Sequence, residues 1–180
     1  MRLIWNVLIV CTVMSITGLH VAAAQAAPKP GPENERLGYF VGKWKAEGEL
    51  KPGPMGPGGK FTTTDDCNWF EGKYSVVCNS EGSMPMGKTK SIGILGYNPE
   101  ERVYTYYGVD NSGMTMSSVP KGTRQGDTWT YNDEGMMGGK KVKSRVIIKE
   151  VSATEYNFKM DMQGPDGKWA TVMESKNTKQ

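Results

Sequence analysis

Three stretches of the chain alternate apolar and polar residues with a period of two. In Lys43-Trp-Lys-Ala-Glu-Gly-Glu-Leu50, one face reads Trp44, Ala46, Gly48 and Leu50, and the other is charged throughout. Along Lys141–Lys149, Val142, Ser144, Val146 and Ile148 oppose Lys141, Lys143, Arg145, Ile147 and Lys149. Along Tyr156–Gln163, Tyr156, Phe158, Met160 and Met162 oppose Asn157, Lys159, Asp161 and Gln163. Successive strand side chains point to opposite faces, so each stretch predicts a strand with one dry and one wet face. Runs rich in Thr, Tyr, Val and Trp extend this to strands at 43–50, 60–70, 74–81, 88–97, 102–110, 114–120, 127–133, 140–151, 154–163 and 168–176. Turn chemistry separates them at Glu71-Gly72-Lys73, Asn98-Pro99-Glu100-Glu101, Asn111-Ser112-Gly113 and Gly164-Pro165-Asp166-Gly167. No helical run is available to cover a second sheet face, so the sheet is expected to close on itself and remove its edges. The expected fold is all-β, an antiparallel up-and-down barrel of about 8–10 strands. Pro32 with Glu33 and Glu35 predicts a short N-terminal helix, which Leu37, Tyr39 and Phe40 give an apolar side.

The first segment changes the inventory. Arg2 precedes a long apolar run that ends in Ala22-Ala23-Ala24 and Ala26-Ala27. This predicts a secretory signal peptide over 1–24, a flexible proline-rich lead-in over 25–35 and a single barrel domain over 36–178. The rival reading is an uncleaved anchor helix. The alanine-rich exit favours cleavage, which leaves no stable membrane span and places the protein in the periplasm or outside the cell. His20, the chain's single histidine, and Cys11 leave with the segment. Arg2 leaves too, lowering the formal net charge from +3 to +2. That balance, without a basic cluster, argues against a nucleic-acid partner.

Cys67 and Cys78 remain, and export would let a disulfide persist between them. If Gly72 and Lys73 form a two-residue loop, residues 67 and 78 fall directly opposite each other, where β-carbons are close enough to bridge. A redox pair is disfavoured because the spacing is not Cys-x-x-Cys.

The run Tyr39-Phe-Val-Gly-Lys-Trp44 resembles the start of lipocalin-like barrels, where a short helix leads into a Gly-x-Trp strand whose tryptophan plugs the closed end. Together with Gly93-Ile-Leu-Gly-Tyr-Asn-Pro-Glu-Glu-Arg-Val-Tyr104 and Gly126-Asp-Thr-Trp-Thr-Tyr131, it is similar to the secreted bacterial family called domain of unknown function 1579, over about residues 33–178. The resemblance implies a lipocalin-like barrel and carries over no catalytic residue. The nitrobindin branch of similar barrels holds haem through a histidine, which residues 25–180 lack.

Methionine is the unusual residue. Four close pairs occur, at Met84/Met86, Met114/Met116, Met136/Met137 and Met160/Met162. Thioethers bind Cu(I), and residues two apart on a strand point the same way. Methionine also fills irregular apolar space, and Met160 and Met162 continue the face of Tyr156 and Phe158. Met136-Met137, between glycines, reads as an exposed loop. Hydrolytic chemistry has little support, because a serine nucleophile needs a positioned base. Asp66 and Asp161 read as outward, whereas Asp65 shares the face of Cys67 and is a weak hint of function if buried. No metal, cofactor or enzymatic constellation is assigned.

The preferred expectation is a non-enzymatic binding module. A small apolar molecule would sit in a cavity lined by Trp44, Met114, Met116, Tyr156, Phe158, Met160 and Met162, gated by the Pro/Gly-rich loop 51–60. Methionine-based Cu(I) handling and a filled-core envelope interaction domain are the alternatives.

Overall fold

The structure, a computed structural model, describes residues 29–112, 118–137 and 139–180. The signal segment 1–24, with Cys11 and His20, and the pair Met114/Met116 lie outside the described residues.

Ten antiparallel strands close into one barrel: β1 (Gly42–Leu50), β2 (Gly59–Trp69), β3 (Val76–Met84), β4 (Gly87–Asn98), β5 (Val103–Asp110), β6 (Lys121–Gln125), β7 (Thr128–Met137), β8 (Lys140–Ser152), β9 (Glu155–Gln163) and β10 (Trp169–Lys179). Each strand pairs with its neighbour in sequence, and β1 closes the ring by pairing with β10 from Trp44↔Lys179 to Leu50↔Met173. The alternation read from sequence is the inside–outside alternation of the wall. Trp44, Ala46 and Leu50 are buried, and Val146 and Phe158 pack against the core.

One end of the barrel is plugged. Helix α1 (Pro32–Arg36) begins inside the proline-rich lead-in and runs into a 3₁₀ turn, Leu37–Phe40. Asn34 accepts from the Gly31 amide (3.2 Å) and donates to the Tyr74 carbonyl (3.0 Å), tying the helix to the β2–β3 connection. Leu37 and Phe40 enter the barrel, and the Trp44 indole N–H donates to the Phe40 carbonyl at 2.8 Å. Ring follows ring from there. Trp44–Tyr156 centroids lie 4.9 Å apart, Phe40–Trp129 5.2 Å and Tyr104–Trp129 4.6 Å. Each such pair contributes about 0.5–1.5 kcal/mol beyond its buried area. Trp129 also donates to Glu150 (2.7 Å), whose carboxylate accepts two hydrogen bonds from Arg124. Sequence reasoning did not find this trio, because β6 was not predicted and the trio needs the registers of both the β6–β7 and β7–β8 hairpins.

Three local expectations are corrected. Of the strand expected at 114–120, residues 114–117 lie outside the described residues and 118–120 are not in a strand, whereas Lys121–Gln125 forms a strand that was not expected. Pro120 has no N–H to give a ladder, though its carbonyl accepts from the Tyr106 amide at 3.4 Å, and among the described residues Tyr104↔Gly122 and Thr105↔Lys121 join β5 to β6. Met136 and Met137 are not a loop but the end of β7, paired with Lys141 and Lys140. The β2–β3 connection is not a two-residue hairpin. It is a wider turn around the 3₁₀ segment Glu71–Lys73, with Gly72 at φ +82°. The Cys67↔Cys78 register survives because the turn grows by equal amounts on both sides.

The disulfide Cys67–Cys78 is present, with S–S 2.06 Å, and Cys67 faces the core. Closing so short a loop stabilises by about 3 kcal/mol in the chain-entropy account. Replacing both cysteines by serine is expected to lower unfolding free energy by that order, measured by denaturant titration.

The outward face of β8 is not simply solvated. Asp161 points outward yet is 2 % exposed, because Arg145 (2.9 Å), Thr171 (2.9 Å) and Lys159 (3.4 Å) converge on its carboxylate. The Arg145 guanidinium lies 4.5 Å over the Trp169 ring. Burial pushes the Asp161 carboxyl up, but hydrogen bonds from Arg145 and Thr171 and the Lys159 charge outweigh it and hold it below its ordinary range. A lowered folded pKa contributes stability that is present above the unfolded value and lost as pH falls through the folded one. Asp161→Asn is therefore expected to cost about 2 kcal/mol at pH 7. It should also remove part of the wild-type stability loss below about pH 4, followed by thermal melting across pH.

Candidate functional site

The interior divides along the barrel axis. At the plugged end, aromatic side chains fill the space. Toward the other end, the inward positions Thr63, Ser80, Ser91, Ser144, Met160 and Met173 are only half-buried, so solvent reaches them inside the wall. The described methionines gather in this half. Met55 lies in the β1–β2 connection, Met84 and Met86 at the β3–β4 turn, and Met136 and Met137 at the end of β7. Met160 and Met162 end β9, and Met173 opposes Met160 across β9–β10. Loop 51–58 lies at the same end, with Gly53 and Gly56 bridged to each other. A Cβ on Gly56 would meet the Met86 sulfur at 2.8 Å, so the loop lies against the β3–β4 turn.

The expected lining residues separate accordingly. Trp44 and Tyr156 belong to the packed aromatic floor. Phe158 and Met160 face inward and are half-buried, and Met162 faces inward at 6 % exposure. Met114 and Met116 lie outside the described residues.

One polar feature crosses this interior. Trp44, Asp65, Ser80, Ser91 and Asp110 are directly opposed in turn across β1, β2, β3, β4 and β5. Directly opposed residues share a face, so all five face inward on one row. The Ser80 hydroxyl bonds the Asp65 carboxylate. Burial raises the Asp65 carboxyl above its ordinary range, and the Ser80 bond offsets this only in part. Among the described residues Asp65 forms no ion pair. The Tyr106 ring lies close over Gly93 and Gly108, where an added Cβ would meet it at 2.9 and 2.8 Å. Burial raises the Tyr106 phenol, and the charges of Asp65 and Asp110 raise it further. Tyr156 is raised by burial first and next by Asp65. The Tyr131 hydroxyl is enclosed in the same interior, with no hydrogen-bond partner among the described residues.

Two open depressions have volumes of about 670 and 840 Å³. The first is lined by outward charges such as Glu47, Lys60, Lys159 and Glu174 and by the inward residues Phe61 and Phe158. The second is lined by the row itself, Trp44, Asp65, Ser80, Ser91 and Asp110, together with outward neighbours such as Thr64 and Asn79. The acid row was half legible in the sequence: the register that pairs Cys67 with Cys78 also pairs Asp65 with Ser80. Its continuation to Ser91 and Asp110 required the registers of the next two hairpins.

No curated protein matches the chain. Among solved structures, the crystal structure of Rv2717c from M. tuberculosis is similar in fold at 15% identity, with a TM-score of 0.58, covering 84% of this chain and 99% of that one. A redesigned β-barrel, mFAP1, bound to DFHBI, aligns at 12% identity with a TM-score of 0.43, covering 79% of this chain and 97% of that one. The family described as "Protein of unknown function (DUF1579)" matches residues 29–179, and the chain belongs to that family.

Proposed function

We propose that this protein is an exported, non-enzymatic carrier that holds a small apolar molecule in the open half of its barrel. The observation that carries the reading is the contrast between the two halves. Aromatic rings fill one end, while inward residues of the other keep accessible surface beneath a methionine-rich rim. Thioether and phenyl surface on Phe158, Met160 and Met162 would desolvate an apolar body, with Trp44 and Tyr156 as the floor. Methionine side chains adapt to irregular partners, which suits a rim that admits a ligand. Loop 51–58, lying against Met86, is placed to gate access. The Cys67–Cys78 disulfide supports an oxidising compartment, and no helix among the described residues is long and apolar enough to cross a membrane.

The uncharged fluorophore N-phenyl-1-naphthylamine tests this. Purified protein is expected to bind it with a saturable fluorescence increase. Met160→Trp, which fills the open half, should weaken binding at least about tenfold, a loss of about 1.4 kcal/mol. Native mass spectrometry should show a retained apolar adduct on protein purified from its host. No binding and no adduct would defeat the reading.

Cu(I) handling is a second reading, favoured by the Met160↔Met173 pairing, with Met162 two residues along the same inward face. Anaerobic Cu(I) titration should then show weaker binding in Met160→Leu and Met162→Leu, and unchanged affinity would remove that pair as ligands.

A further inference from the structure

Asp65 is costly where it stands. It faces the barrel interior, half-buried, and its described partner is the neutral Ser80 hydroxyl. An acid without a cation in such a place loses hydration that a single hydroxyl does not replace. The inward cation nearest along the ladder, Lys179, opposes Trp44 on the other side and rests its ammonium 5.1 Å over the Trp44 ring. The fold gains nothing visible from Asp65. The ladder around it needs only its backbone, and asparagine could accept from Ser80 equally well.

Its surroundings have a chemical meaning. Trp44 is its directly opposed residue on β1, on the same inward face. Tyr106 and Tyr156 are close enough for the Asp65 charge to act on their phenols. A carboxylate beside aromatic faces is the combination that recognises an organic ammonium, through charge pairing on one side and ring quadrupoles on the others. The position also suits such a ligand. Asp65 lies at the boundary between the aromatic floor and the half-buried methionine-lined region, so a head held there would leave an apolar body among the thioethers.

The geometry points to Asp65 as the anchor for the protonated amine of an apolar ligand bound in the barrel, with Trp44, Tyr106 and Tyr156 surrounding the charge. This rests on the proposed carrier reading and specifies the class of molecule carried: an apolar amine rather than a fatty acid or a hydrocarbon.

Calorimetric titration of the purified protein at pH 7 with decylamine, 1-decanol and decanoate, each below its aggregation threshold, tests the inference. The amine is expected to bind at least about tenfold more tightly than the alcohol, and decanoate more weakly than either. Asp65→Asn should erase the preference for the amine. It should also melt higher than wild type at pH 7, with the gap shrinking as pH falls. The raised pKa of Asp65 makes its burden on stability appear only as pH rises past the unfolded value. Equal binding of amine and alcohol by the wild-type protein, or a preference that persists in Asp65→Asn, would overturn the anchor while sparing the carrier reading. Failure of all three compounds to bind would overturn both. The comparison of the three compounds on wild-type protein stands even if the variant does not fold.

Discussion

The barrel depends on the ladder between β1 and β10. Nine hairpin pairings follow from neighbours in sequence, but this one joins the two ends of the domain. Without it, β1 and β10 would each present a row of unpaired backbone groups, and the inward faces would meet water. Trp44 lies on this seam. It opposes Lys179 on β10 and Asp65 on β2, and its indole holds the Phe40 carbonyl of the plug. Closure of the sheet and closure of one end are therefore coupled through a single side chain.

Closure leaves a limited interior, and the chain fills it unevenly. Aromatic rings occupy the plugged end, where the 3₁₀ turn contributes Leu37 and Phe40. Large rings need space beside them, and inward glycines supply it. Tyr106 occupies the space over Gly93 and Gly108, and the Tyr131 ring crowds Gly122, where a Cβ would meet it at 2.5 Å. Toward the other end the inward residues become small or unbranched: serine, threonine and methionine. These side chains remain only half-buried and leave accessible surface in that half of the barrel.

Charge is treated differently on the two faces of the wall. Asp161, outward, is surrounded by Arg145, Lys159 and Thr171 and stays ionised. Asp65, inward, receives one hydroxyl and no cation among the described residues, and burial raises its carboxyl above the ordinary range. The same residue type thus serves as a structural clasp outside and remains uncompensated inside. That asymmetry makes Asp65 the polar group in this interior least explained by folding.

The chain alone determined the wall. Period-two patterning placed Trp44, Val146 and Phe158 inward, and turn residues divided nearly every strand, because these signals are local and read within one hairpin. The Cys67–Cys78 register, and with it Asp65 opposite Ser80, follows from adjacent strands for the same reason. Local reading failed where local signals were weak: β6 is short and polar, and its start is decided by Pro120 and by pairing with β7. The remainder belonged to the tertiary structure. The Arg124–Glu150–Trp129 trio and the enclosure of Asp161 each need the registers of two successive hairpins, and the separation of aromatic floor from methionine rim depends on how ten strands stagger around a closed ring. Stagger and closure are global constraints, and no window of sequence shorter than the barrel contains them.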